Sequence, residues 1–182
     1  MGNKHHRLAS VCAILALVFL VLCTSCGSTK SAPGSPPESA SAPPGSFVIS
    51  PKSQTAKAGS QIKVSIEIIP AGWGVSAAEV QVSFDPTILE ALSVQAGDAL
   101  GPKPIQGVLK IDNAQGTIIY ALARLGETTA PGVKGVLANL EFRGKSGATG
   151  TAKIELTRVG LSDENFQDIT GVKYEGATIV FP

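Results

Sequence analysis

The stretch QIKVSIEII (Gln61–Ile69) alternates with a period of two. Ile62, Val64, Ile66 and Ile68 fall on one side, and Gln61, Lys63, Ser65 and Glu67 on the other. Successive side chains of a strand point to opposite faces, so this pattern predicts a strand with one face in a core and the other toward water. EVQVSFD (Glu79–Asp85) repeats it, with Val80, Val82 and Phe84 set against Gln81 and Ser83. ANLEF (Ala138–Phe142) and TAKIELT (Thr151–Thr157) follow suit with Leu140/Phe142 and Ile154/Leu156. Turn-forming clusters fall between the strands: AGWG (Ala71–Gly74), QAGD (Gln95–Asp98), NAQG (Asn113–Gly116), APGV (Ala130–Val133) and KSGATG (Lys145–Gly150). Short alternating strands split by Gly-rich turns predict an all-β, two-sheet antiparallel sandwich and not βαβ units.

Two stretches depart from this rule. In DPTILEALSV, Asp85 and Pro86 resemble a helix start, yet Thr87–Val94 reads more readily as strand because its first residues fit both periods. In TIIYALARL (Thr117–Leu125), Ile118, Tyr120 and Leu122 are expected in the core, but Ile119, Ala121 and Ala123 make the opposite face apolar as well. A strand apolar on both faces is either a central strand covered by a loop or part of a partner-binding face.

Toward the N-terminus the character changes. Lys4, His5, His6 and Arg7 form a basic head before Leu8–Cys23, an apolar run with one Ser as its only polar interruption. That run is shorter than the ~20 residues of a spanning helix and fits a secretory signal, a signal helix over residues 1–26. The CTSC end resembles a bacterial lipobox, which marks Cys26 for lipidation. An uncleaved anchor and ordinary cleavage nearby are the alternatives. Residues 27–46 hold Gly, Ser, Thr, Ala and Pro with one Lys and one Glu, too little apolar surface to offset chain entropy, so a disordered linker is expected. Residues 47–182 are then a single domain large enough for a core without disulfides.

Composition narrows the chemistry. Both histidines and all three cysteines lie within the first 26 residues. The domain therefore lacks the parts of a Ser-His-Asp triad, a Cys-His dyad, a His- or Cys-ligated metal site or a structural disulfide. Lys+Arg total 15 and Asp+Glu 14, which argues against a nucleic-acid partner, since phosphate neutralisation needs a concentrated basic surface. The scattered carboxylates mark no acid pair for glycoside hydrolysis, and no enzyme activity or cofactor is expected.

Four blocks in order, FVISPKSQTAKAGSQIKVSIEI, GVSAAEVQVSFDPTILEALSVQAGDAL, GTIIYALA and GVLANLEFRGKSGATGTAKIEL, resemble the cohesin domain of bacterial cellulosomes across Phe47–Pro182. The resemblance implies a nine-stranded jelly-roll sandwich that binds a dockerin module through one flat sheet face. In the best-known cohesin type that face uses an Asn and an Asp two residues apart, and the matching positions here are Ala77 and Glu79. The family's outward apolar contacts fall on Ala121 and Ala123, and the acidic residue that often follows matches Arg124, a reversal of sign. The implied docking face is thus Ala77, Glu79, Ile119, Ala121, Ala123 and Arg124, with a partner charge pattern unlike the standard one.

Other residues carry weaker signals. Trp73 is a loop anchor or, with Tyr174, a glycan contact; aromatics are only 5% of the chain, too few for a platform of coplanar rings. SDENFQD (Ser162–Asp168) gathers oxygen ligands without the spacing of a calcium loop, and a solvated loop is expected there. Taken together, the sequence predicts a lipid-anchored protein at the bacterial cell surface or outside the cell. Its cohesin-like domain would dock a dockerin-type module of a secreted protein in the setting of polysaccharide catabolism. A carbohydrate-binding surface lipoprotein and a structural surface-assembly lipoprotein are the alternatives.

Overall fold

Alternation becomes two layers in the computed structural model, which describes residues 45–126 and 132–182. The signal segment, Cys26 and nearly all of the linker lie outside the described residues. Eleven strands follow one another: β1 (Ser46–Ser50), β2 (Ser53–Thr55), β3 (Gln61–Ile69), β4 (Val75–Phe84), β5 (Leu89–Ala96), β6 (Ile105–Asp112), β7 (Thr117–Ala123), β8 (Gly135–Gly144), β9 (Gly150–Asp163), β10 (Lys173–Glu175) and β11 (Ala177–Phe181). The expected count of nine is corrected to eleven. β2 and β10 are three residues each and mostly exposed, too short to carry an alternating signal.

The back sheet has the order β10-β1-β3-β8-β5 and the front sheet β2-β11-β9-β4-β7-β6. Among the described residues only β1–β10 and β2–β11 pair in parallel; the other neighbours are antiparallel. The residues singled out by periodicity fill the space between the sheets. Ile62, Val64, Ile66 and Ile68 of the back sheet are buried against Val80, Val82, Ile118, Tyr120, Leu122 and Ile154 of the front. Phe84 on β4 meets Phe142 on β8 edge to face, with ring centroids 5.3 Å apart, a direct aromatic tie between the layers.

The described residues contain no helix. At Asp85–Pro86 the chain makes a single turn: Leu89 N donates to Asp85 O at 2.9 Å, and the Asp85 carboxylate accepts from Thr87 N at 2.8 Å. β5 then begins at Leu89, because Leu89, Ala91 and Val94 have a core face to fill against β8.

Candidate functional site

The front sheet turns its outer face to solvent, and register decides which side chains share it. β4 and β7 pair Ala77 with Ala123, Glu79 with Ala121, and Gln81 with Ile119. The six residues expected on a partner-binding face therefore converge: Ala77 and Glu79 on β4, Ile119, Ala121 and Ala123 on β7, and Arg124 just beyond β7. All are partly exposed. Ile119, Ala121 and Ala123 are half-buried, whereas Ile118, Tyr120 and Leu122 point into the core.

The flanking strands extend these pairs into rows of four. Ser162, Ala77, Ala123 and Ile105 form the first row, and Gly160, Glu79, Ala121 and Val108 the second. Arg158, Gln81, Ile119 and Lys110 form the third, and Glu155, Ser83, Thr117 and Asp112 the fourth. With strands ~4.8 Å apart, each row spans about 14 Å. Small side chains in the first two rows leave a depression of about 280 Å³ bordered by Ala77, Ile105, Gly107, Ala121, Ala123 and Gly160. Beyond it, one row ends in two cations and the next in two carboxylates, so charge is banded across the strands. Exposed Ile105, Val108 and Leu125 add apolar area at the β6–β7 side.

Electrostatic coupling on this face is loose. Arg158 Nη1 lies 3.8 Å from Glu79 Oε1, with the Arg158 side chain largely solvated and that of Glu79 partly so, so the pair contributes little stability and stays available to a partner. Arg124 is held at the end of β7: its amide donates to Ser76 O of β4 at 2.7 Å, and its Nη1 donates within its own loop to Gly126 O at 2.9 Å.

Reading by periodicity does not find Arg158, Gly160, Ser162 and Val108. Bulges explain why. β9 shifts register against β4 between Gln81 and Val82, so outward residues change from Lys153 and Glu155 to Arg158, Gly160 and Ser162. β6 does the same at Gly107, where Ile105 and Val108 both lie outward opposite β7. Gln81, by contrast, was findable from its parity with Glu79.

A second concavity adjoins the first. A cleft of about 640 Å³ lies between the outer side of β9 and the segment Asp168–Tyr174, and it shares Glu79, Gly160 and Ser162 with the depression. Tyr174 lines this cleft, whereas Trp73 packs against the core at the Pro70–Gly74 turn. In the Ser162–Asp168 loop the Asp163 carboxylate accepts from the amides of Asn165 (2.8 Å) and Gln167 (2.9 Å), a use internal to the loop. Among the described residues no group of three His, Cys, Asp or Glu is gathered closely enough to hold a metal ion.

Comparison with known proteins gives concordant results. A family model described as cohesin domain matches residues 47–180. Cellulose-binding protein A of Clostridium cellulovorans is 28% identical over 131 residues, covering 70% of this chain. The chain spans only 7% of that relative's length. Among solved structures, the third ScaC cohesin of Acetivibrio cellulolyticus, in complex with the ScaB dockerin, superposes with a TM-score of 0.64 at 20% identity, covering 76% of this chain and 99% of that one. The OlpC cohesin–dockerin complex of Clostridium thermocellum gives 0.61 at 17% identity, covering 76% and 93%. A type II cohesin of Acetivibrio cellulolyticus gives 0.61 at 20% identity, covering 75% and 95%.

Proposed function

The chain belongs to the cohesin domain family, and from that premise we propose that it docks a dockerin-type module of another protein through the outer face of its front sheet. Cohesin domains are non-catalytic interaction modules, so the action is adhesion and not turnover. The observation that carries the reading is the in-register pairing of Ala77 with Ala123 and Glu79 with Ala121, which brings the face implied by the resemblance onto one exposed surface. Small side chains there let a partner approach the sheet closely. Ile105 and Val108 supply apolar area that loses water on contact, and the banded charges set the partner's register. Ala77, Glu79 and Arg124 replace the amide, the shorter carboxylate and the acidic group of the best-known type. The partner is therefore a dockerin whose complementary positions differ from the standard set.

The supporting setting is polysaccharide breakdown, which the name of the clostridial relative suggests. Within the same proposal, residues 1–26 direct export, Cys26 carries lipid, and residues 27–46 space the domain of residues 47–182 from the surface of the cell. Replacing Cys26 by Ala is expected to release the protein from the membrane fraction. For docking, full-length protein is immobilised and titrated with a panel of purified dockerin modules. Binding by at least one, lost in Ala121→Arg with unfolding unchanged, supports the face. Equal binding by Ala121→Arg removes the face, and no binding by any module removes the reading.

A further inference from the structure

We propose that the cleft between β9 and the segment Asp168–Tyr174 is a binding site for a short, soluble oligosaccharide. The site is built by two pins and a gap. Ile169 N donates to Leu161 O at 2.8 Å, and Lys173 N donates to Gly45 O at 3.1 Å. Between those pins the segment passes through Gly171 at a φ of 71°. Thr170, Gly171 and Val172 make no backbone hydrogen bond among the described residues. The result is a cleft of about 640 Å³, within the size range of small-molecule sites.

The lining selects the ligand class. Tyr174 is 47% exposed and offers an aromatic ring at the mouth of the cleft. Arg158 donates, Glu79 and Asp168 accept, and the hydroxyls of Ser162 and Thr170 do both. A sugar presents the matching chemistry: a C–H face that packs on a ring and a rim of hydroxyls that each donate and accept. An anionic ligand meets two carboxylates for one guanidinium. A hydrophobic ligand would strip water from those charged groups without replacing their hydrogen bonds. The aromatic-poor composition excludes a flat platform for an insoluble polymer, but a cleft needs only one ring when its walls supply polar partners.

The test uses the full-length protein, isotopically labelled for amide spectra and titrated with cellohexaose, xylohexaose and mannohexaose. We expect saturable shifts at Arg158–Ser162 and Thr170–Tyr174 with at least one of these, at a dissociation constant on the order of 1 mM or tighter. Tyr174→Ala is expected to weaken binding about tenfold with unchanged unfolding, because the ring is at the surface. Ile105→Arg, on β6 at the far end of the row from Ser162, is expected to leave it intact, which separates this site from the docking face. Absence of saturable shifts with all three sugars overturns the proposal, as does wild-type affinity in Tyr174→Ala. Shifts produced by unstructured decapeptides but by no sugar assign the cleft to a peptide and also overturn it.

Discussion

The carboxamide of Asn113 makes two hydrogen bonds to the backbone of Ala91. Ala91 N donates to its Oδ1 at 2.7 Å, and its Nδ2 donates to Ala91 O at 3.0 Å. Asn113 stands in the turn between β6 and β7 of the front sheet, and Ala91 in β5, the edge strand of the back sheet. One side chain thus imitates a neighbouring strand and ties the two sheets along an open edge. Asn113→Ala leaves a part-buried donor and acceptor unpaired, so it is expected to cost about 1–3 kcal/mol in urea unfolding. An unchanged midpoint would mean that water replaces the amide.

Gly97 makes the corresponding latch at the other end of β5. Its amide donates to Leu137 O at 2.9 Å, and Asp98 Oδ1 accepts from Val136 N at 2.8 Å. A Cβ at position 97 would stand 2.1 Å from Val136 O, a backbone atom of β8. Gly97→Ala must push the chain off β8 and is expected to destabilise by about 1–3 kcal/mol or more. Thermal unfolding checks this, and a wild-type melting temperature would refute the close approach.

Tyr120 is 1% exposed, and its hydroxyl has no hydrogen-bond partner among the described residues. Burial raises its phenol above the ordinary value of 10.0. Tyr120→Phe removes the unsatisfied group while keeping the ring, so a gain of about 1 kcal/mol in denaturant unfolding is expected. The sign with pH follows from linkage. Above pH 10 the unfolded chain ionises while the native phenol keeps its proton, so wild-type stability falls there by a contribution that the Phe variant lacks.

Asp85 titrates in the opposite sense. Hydrogen bonds from the Thr87 hydroxyl and then the Thr87 amide hold its carboxyl below the ordinary value of 3.8. A depressed native value means that the contribution is present above pH 3.8 and is lost as pH falls through the native value. Asp85→Ala is expected to cost about 1 kcal/mol at neutral pH, with the gap to wild type closing in acid. A gap that stays constant down to the acid limit would show that the turn, and not the charge, matters.

The core was legible because one period-two pattern serves each inner face. Ile62–Ile68, Val80–Phe84 and Ile118–Leu122 are buried as their alternation requires. The apolar second side of β7 was legible too, since Ile119, Ala121 and Ala123 break the polar rule on a strand whose core face was already assigned. The neighbours of those residues on the sheet were hidden. A bulge adds one residue to a strand and exchanges its two faces, so parity counted from Lys153 or Ile105 points the wrong way past Thr157 or Gly107.

Sequence by itself determined the fold class, the core and the family, because those depend on side-chain alternation and turn chemistry that are local in the chain. Tertiary structure alone decided that Arg158 lies beside Glu79, that Asn113 holds Ala91, and that Tyr174 and not Trp73 lines the cleft beside β9. Each of these joins residues from different strands or turns. Their meeting depends on strand order and on register after bulges, which pairing across the sheets sets and which no periodicity along a single strand encodes.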